Sequence, residues 1–179
     1  MNLIIETSTS LCVLALYDGK EILESIAFEH NNNLSKTLLP AIDQLKRTSL
    51  LKGIALGIGP GSYTGTRVGA AVAKGLSFAL NIPITPFYSP LAFLPKGVEG
   101  DFTLLLPTKA GPFFAVEGVV ESGLIKNVSS CKYDTIPTSA NLIYPIPQEP
   151  HLPPLCSFLA GERSFPAEEI SLSYLATIN

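Results

Sequence analysis

The sequence predicts an α/β fold whose first 88 residues follow the order β-β-β-α-β-α-β. Three observations predict it. Short apolar runs bounded by turn residues indicate strands, and longer segments whose apolar residues recur at helical spacing indicate helices. The third observation is composition, because 46% of the 179 residues are hydrophobic and only 15% are charged. Such a chain can fill a core, and it lacks the charge that is typical of disordered proteins.

Three strands are predicted at the start of the chain, over residues 3–5, 11–17 and 21–28. The first two are continuous apolar runs, which indicate buried strands. Asp18-Gly19 is a strong hairpin signal and leads into the third strand. We therefore expect the chain to open with a three-stranded antiparallel meander.

The first predicted helix has apolar residues at near-helical spacing: Leu34, Leu38, Ile42 and Leu45. Pro40 lies inside this pattern, where it cannot donate a hydrogen bond and crowds the carbonyl of Lys36. We therefore expect the helix to kink, or to begin late, near residues 35–37.

The next elements follow one another closely. A short buried strand is predicted over residues 53–58, and a tight loop over residues 59–65 opens a second helix over residues 66–80. Asn81-Ile82-Pro83 ends that helix, because proline cannot continue it. A further strand is predicted over residues 84–87.

Beyond residue 88 the pattern is weaker. It indicates a helical turn at residues 89–94, strands over residues 102–106 and 113–120, and a last short helix at residues 167–172. Six of the eighteen residues from 137 to 154 are proline, so we expect no regular helix there.

The chain is accordingly expected to divide into two lobes. Residues 1–88 would form the first lobe, and residues 89–179 a reduced second lobe with a proline-rich irregular segment.

Charge and cysteine content exclude some classes of protein. The net charge is −3 and the pI is about 5.4, which disfavours a self-sufficient nucleic-acid binder. The three cysteines are widely spaced and form no CxxC pair, so they predict neither a zinc site nor a disulfide framework. The start of the chain has no signal-peptide pattern, and no apolar run is long enough to cross a membrane. We expect a cytoplasmic protein without membrane contact.

The loop at residues 59–65 is the most informative local feature. Gly59, Gly61 and Gly65 allow close approach of the backbone, and Ser62 or Thr64 can cap the following helix. Exposed N–H groups at a helix start bind anions, so the loop is a candidate phosphate or nucleotide contact. The alternative is a tight strand-to-helix turn that needs glycine only for its geometry.

The turn between the first two strands offers hydroxyl groups from Thr7, Ser8 and Thr9. In actin-like ATPases and sugar kinases, a first hairpin of this kind wraps a phosphate, and it normally carries an aspartate and a glycine. Here the acid is Glu6 and the turn has no glycine. A plain polar connection between two strands is the alternative.

The second helix has a face of small residues, which includes Gly65, Gly69 and Ala73. Glycine inside a helix costs up to about 1 kcal/mol relative to alanine, so its presence needs a reason. Close packing against another helix is such a reason. The other helix could lie in this chain or in a partner.

Three segments resemble one protein family. Residues 59–69, GPGSYTGTRVG, closely resemble the GPGSFTGLRIG signature of the TsaB family, also called YeaZ. Residues 3–9 resemble its LAIDTST opening, and residues 38–42 resemble its LLPxI helix, including Pro40. The resemblance covers residues 1 to about 95.

The resemblance implies the actin-like, ribonuclease-H-like fold of the ASKHA superfamily. It also implies a non-catalytic relative of TsaD, which serves as a scaffold in forming threonylcarbamoyladenosine beside the tRNA anticodon. The implied partners are a TsaD-type protein and a TsaE-type ATPase, with tRNA reached only through the complex. A homodimer is one candidate state when the chain is alone, and the sequence does not determine the oligomeric state. No cofactor is expected on this chain by itself, and ATP is a candidate ligand at a shared interface.

We place the partner-binding face on the two helices of the first lobe. Its candidate residues are Leu34, Leu38, Ile42, Gly69, Ala73 and Leu76. No catalytic and no metal-binding residue is assigned.

The sequence departs from the family pattern at several positions. Glu6 replaces the usual aspartate, and Leu34 and Lys36 stand where the family often has histidine and glutamate. Relatives often have an Asp-Ala-Arg motif at the start of the second lobe; the nearest segment here is Pro107-Thr108-Lys109, so that motif is missing. The second lobe is also shorter than is typical. Two other functions therefore stay open: a small ATPase or kinase of the same fold, and a free-standing homodimeric binding protein.

Overall fold

The computed structural model describes residues 1–29, 33–46, 48–107, 112–138, 141–147 and 149–172. The first seven elements are β1 (Asn2–Glu6), β2 (Leu11–Asp18), β3 (Glu21–Glu29), α1 (Leu34–Asp43), β4 (Gly53–Gly57), α2 (Tyr63–Leu80) and β5 (Ile84–Phe87). The later ones are β6 (Gly100–Leu106), β7 (Phe113–Glu121), β8 (Leu124–Tyr133), β9 (Leu142–Ile143) and α3 (Leu152–Leu159). The predicted order of the first seven elements is confirmed.

The first sheet has five strands in the order β3-β2-β1-β4-β5. The pairs β1–β2 and β2–β3 are antiparallel, as the predicted meander requires, whereas β1–β4 and β4–β5 are parallel. Because parallel strands end at the same edge, the carboxyl ends of β1, β4 and β5 lie side by side. The loops that the sequence singled out follow two of these ends.

The second sheet has four strands in the order β8-β7-β6-β9. One apolar core joins α1 and α2 to one face of the first sheet, through residues such as Leu14, Leu38 and Ala73. A second core joins the other face of that sheet to α3 and the second sheet, through residues such as Tyr17, Phe102 and Leu155.

The start of α1 differs from the prediction. The helix begins at Leu34, not late, and Pro40 lies inside it. Lys36 and Pro40 are both exposed, so water can satisfy the carbonyl group that the proline leaves without a donor. Leu45 lies just beyond the helix end but is still buried.

The second helix begins three residues earlier than predicted. Ser62 is its N-cap, and the Ser62 hydroxyl accepts a hydrogen bond from the Gly65 N–H. Asn81 ends the helix in the left-handed conformation, with φ 52°, which asparagine tolerates better than most residues.

The proline-rich segment contains a helix that the sequence analysis excluded. Pro153 and Pro154 lie in the first turn of α3, where N–H groups have no partner inside the helix. The prediction of no regular helix was therefore wrong at this end. Strand β8 was also missed, and the predicted last helix is a single 3₁₀ turn at Ala167–Glu169.

The end of the described chain returns to the first sheet. Phe165 and Ile84 exchange two backbone hydrogen bonds of 2.8 and 2.7 Å, and Ile170 is buried in the core that contains α1 and α2. The division at residue 88 stays a prediction, but residues 165–170 pack with the part that precedes it. No helix among the described residues is both long and apolar enough to span a membrane.

Candidate functional site

The candidate site lies at the carboxyl edge of the first sheet. Glu6 ends β1, and the turn at residues 7–10 follows it. The glycine loop follows β4 and leads directly into α2, and Ser89 follows β5. The parallel pairing of the three strands therefore brings together the two loops that the sequence analysis treated separately.

Glu6 is buried beneath these two loops. Its carboxyl group is fully buried, and its Oε1 atom accepts a 2.6 Å hydrogen bond from the Ser8 N–H. Within the described part of the chain, its Oε2 atom has no hydrogen-bond partner. Burial raises the pKa of the Glu6 carboxyl, and hydrogen bonds from Ser8 oppose that rise only in part. Gly57 makes room for this group, because a Cβ atom there would overlap Oε2.

The two loops bind each other by hydrogen bonds. The Ser62 N–H donates to the Ser8 carbonyl at 2.6 Å, and the Thr7 hydroxyl donates to the Gly65 carbonyl at 2.9 Å. The Gly59 N–H donates to the Ser89 hydroxyl at 2.9 Å. The N–H groups of Ser62 and Gly59, two backbone donors of the glycine loop, are therefore already used within the chain.

Close approach explains two glycines of the signature. A Cβ atom on Gly65 would overlap the Thr7 carbonyl, and one on Gly69 would overlap the Thr7 hydroxyl. The small face of α2 thus packs against the turn after β1. The expectation that this face packs against another helix was wrong for Gly65 and Gly69, since the turn occupies the space.

A small cavity of about 110 Å³ lies over the turn. Ser8 and Thr9 border it on one side, and mostly apolar residues close the other sides: Pro60, Pro90, Phe93, Leu106, Ile146 and Pro147. Among the described residues that line this cavity, none is basic. Anion or nucleotide binding by Thr7, Ser8, Thr9 and the glycine loop stays a prediction.

The predicted partner-binding residues come together, but inside the molecule. Leu34, Leu38 and Ile42 of α1 are buried, and so are Gly69 and Ala73 of α2. Only Leu76 is partly exposed. As a surface for a partner this assignment was wrong, because the same residues fill the space between the helices and the first sheet.

The sequence analysis missed a different face of α2, which points away from the core. Ala71, Gly75, Phe78 and Ala79 are all exposed and follow each other at helical spacing; we name them the outer face of α2. Phe78 is 89% exposed, and nothing lies within 4 Å of a Cβ atom built on Gly75. The signal was present in the sequence, because Phe78 is out of phase with the buried residues Ala70, Ala73 and Ser77.

The described residues contain no group of three or more histidine, cysteine, aspartate or glutamate side chains that could hold a metal ion. The Arg67 guanidinium lies 3.8 Å from the centre of the Tyr63 ring. His30 and Lys109 lie outside the described residues.

Sequence comparison connects the chain to one group of proteins. The family model described as "TsaD: tRNA N6-adenosine threonylcarbamoyltransferase" matches residues 24–106. A Haemophilus influenzae protein named tRNA threonylcarbamoyladenosine biosynthesis protein TsaB is 39% identical over 108 residues, 54% of this chain and 43% of that protein. The Bacillus subtilis protein of the same name is 30% identical over 134 residues, 70% of this chain and 58% of that protein. The matched part is thus less than two thirds of either relative.

Solved structures confirm the mixed α/β fold with two sheets, which is consistent with the predicted actin-like type. The structure described as "YeaZ from Pseudomonas aeruginosa" has a TM-score of 0.74 at 23% identity and covers 97% of this chain and 99% of that one. Another, described as an uncharacterized protein with similarity to peptidase YEAZ from Pseudomonas aeruginosa, has a TM-score of 0.76 at 22% identity over 98% and 99% of the two chains. The sequence matches and the shared fold thus make this chain similar to proteins that are named TsaB or YeaZ.

Proposed function

We propose that the chain is a non-catalytic scaffold subunit in the formation of threonylcarbamoyladenosine in tRNA. The curated relatives carry that biosynthesis in their names, and the matching family model describes a threonylcarbamoyltransferase. The direct partner would be a TsaD-type protein, with a TsaE-type ATPase in the same complex. Contact with tRNA would come only through that complex, and the protein would work in the cytoplasm.

The outer face of α2 is the observation that carries this proposal. Phe78 is 89% exposed. A partner that covers its ring would remove apolar surface from water, which favours binding. Beside Phe78, Ala71 and Gly75 leave the helix surface flat, so a partner helix can approach closely. Leu39 of α1, which is 51% exposed, adds a further apolar residue on the neighbouring helix.

The hydrogen bonds at the carboxyl edge support a structural role for the glycine signature. The Ser62 N–H and the Thr7 hydroxyl bind neighbouring backbone carbonyls, and Glu6 is sealed under them. A phosphate would have to displace these bonds. We therefore propose that the isolated chain holds no nucleotide, and that any ATP in the complex binds where the partner supplies the ligands.

Size-exclusion chromatography with light scattering tests the scaffold role. The chain is run alone and mixed with the TsaD-type protein of the same cell, with and without ATP. We expect a heteromer to replace the free chain, which would otherwise run as a homodimer through the same face. Two unshifted peaks in both conditions would contradict the proposal, and ATP turnover by the isolated chain would favour an enzyme instead.

Two variants locate the surface. Phe78→Ser and Gly75→Leu should each remove the heteromer, because one deletes the apolar contact and the other blocks close approach. Leu23→Ser is the matched control, since Leu23 is also exposed but lies on the edge strand β3. Circular dichroism would check that all three variants fold. Unchanged complex formation by folded Phe78→Ser and Gly75→Leu proteins would place the interface elsewhere.

A further inference from the structure

A second cavity, of about 220 Å³, lies at the amino edge of the first sheet, opposite the hydroxyl turn and the glycine loop. The amino ends of β1 and β4 form its floor, together with the end of β2 and part of β5. The end of α3 and residues 162–164 form its wall. It has room for about seven water molecules at the volume of liquid water, which is more than a small amino acid occupies.

The floor of this cavity is polar where the rest of the same strand face is apolar. Asn2 lies beside Tyr17 on one neighbouring strand and beside Gly53 on the other, so the three share one row across the sheet. One step further along that face, Ile4, Ala15 and Ala55 belong to the apolar core. The change from apolar to polar side chains therefore coincides with the cavity.

The floor is also held in place. Tyr17 lies beside Asn2 on the neighbouring strand and is only 4% exposed. Gly53 leaves room for the side-chain amide of Asn2, because a Cβ atom on residue 53 would lie 3.0 Å from the Asn2 Oδ1 atom. The Thr85 and Ser164 hydroxyls lie 2.9 Å apart, and each keeps hydrogen-bonding capacity for a further group.

The rim of the cavity carries opposite charges. Lys52 borders it next to the start of β4, and Glu162 borders it just after α3. Both side chains belong to exposed residues, so they can move to meet a ligand without breaking the core. An ammonium group and a carboxylate on one small molecule would each find a partner here, and charge-assisted hydrogen bonds are the stronger kind.

From this combination we propose that the cavity binds a small zwitterion of the class of free α-amino acids. The hydroxyl groups of Thr85, Ser164 and Tyr17 favour a ligand with a short polar side chain over a large apolar one. This site shares no residue with the outer face of α2, so the two proposals can be tested separately.

Amide NMR spectra of the full chain test the proposal, with three small molecules as probes. L-serine carries both charges, ethanolamine keeps only the ammonium group, and glycolate keeps only the carboxylate. We expect serine to shift the amide signals of Gly19 and Gly53 and the side-chain amide of Asn2. Ethanolamine and glycolate should each require an about tenfold higher concentration to reach the same shift, because one charge-assisted contact is lost.

Two variants sharpen the result. Lys52→Gln and Glu162→Gln should each weaken serine binding about tenfold, whereas Lys96→Gln, outside the cavity, should leave it unchanged. The backbone hydrogen bond from the Lys52 N–H to the Met1 carbonyl survives the first change, so the fold is retained. No shift up to the solubility limit of serine would overturn the proposal. Equal response to all three molecules, or equal binding by the variants, would also overturn it.

Discussion

Glu6 and Ser8 form a 2.6 Å hydrogen bond that turns the chain back at the end of β1, with the Glu6 Oε1 atom as the acceptor. The same carboxyl group leaves its Oε2 atom without a partner among the described residues. The hydrogen bond lies within the turn against which Gly65 and Gly69 of α2 pack. Burial of the same carboxyl group raises its pKa.

The first prediction concerns the pH dependence of stability. Burial raises the pKa of Glu6 above its ordinary value of 4.5, so the folded chain takes up a proton that the unfolded chain has released. Its contribution to stability is complete below pH 4.5 and is lost as the pH rises through the raised pKa, with a slope of up to about 1.4 kcal/mol per pH unit. Glu6→Gln, which keeps the shape and cannot ionise, should have a flatter pH dependence.

Urea denaturation between pH 4.5 and 8 measures this difference. Glu21→Gln is the control, because Glu21 is an exposed carboxylate on β3 and its removal should not flatten the curve. Parallel curves for Glu6→Gln and the unchanged protein would show that the Glu6 carboxyl does not couple to folding.

The second prediction compares two glycines of the same helix. Gly69→Ala should destabilise the chain by about 2 kcal/mol, because the new Cβ atom overlaps the Thr7 hydroxyl in a packed interior. Gly75→Ala should stabilise it by up to about 1 kcal/mol, because the space is open and alanine favours a helix. Chemical denaturation measures the free energy of unfolding of both variants. Equal changes would mean that Gly69 is not needed for the close contact between Thr7 and α2.

The third prediction concerns the start of α2. Ser62→Ala removes the hydroxyl that accepts a 3.2 Å hydrogen bond from the Gly65 N–H, and it should cost about 1 kcal/mol. Thr64→Ala, at an exposed position in the first turn, should stay within about 0.5 kcal/mol of the unchanged protein. If the two variants unfold at the same urea concentration, Ser62 does not act as a cap.

The fourth prediction tests the returning end of the chain. Ile170 is 7% exposed and packs in the core with α1 and α2, and its backbone carbonyl accepts a 3.0 Å hydrogen bond from the Lys74 ammonium. Ile170→Ala should therefore destabilise the chain by about 2 kcal/mol or more. Leu50→Ala is the control, because Leu50 is 64% exposed. It should change the free energy of unfolding by no more than about 0.5 kcal/mol. An unchanged Tm for Ile170→Ala would mean that this end contributes little to the core.

Helix α3 shows where sequence rules failed in the second half. Counting prolines over residues 137–154 excluded a helix, but the cost of a proline depends on its place in the helix. Pro153 and Pro154 fall in the first turn, where they remove no hydrogen bond. A rule that weighed position as well as number would have left this helix open.

The candidate site was predicted in pieces. The hydroxyl turn and the glycine loop were both visible as motifs, but their contact is between Thr7 and Gly65, 58 residues apart. Local spacing carries no information on such a pair. The cavity at the amino edge was not foreseen at all, because Asn2, Lys52 and Glu162 meet only after the sheet has formed.

The sequence by itself determined the order of the first seven elements and the resemblance to the TsaB (YeaZ) proteins. Both depend on local patterns: the period of apolar residues, the turn chemistry and an eleven-residue signature. Only the tertiary structure decided which way each helix face turns. The small face of α2 packs on Thr7 and not on a partner, and Phe78 is left outside. Which face of a helix is buried depends on residues that are distant in sequence and close in space.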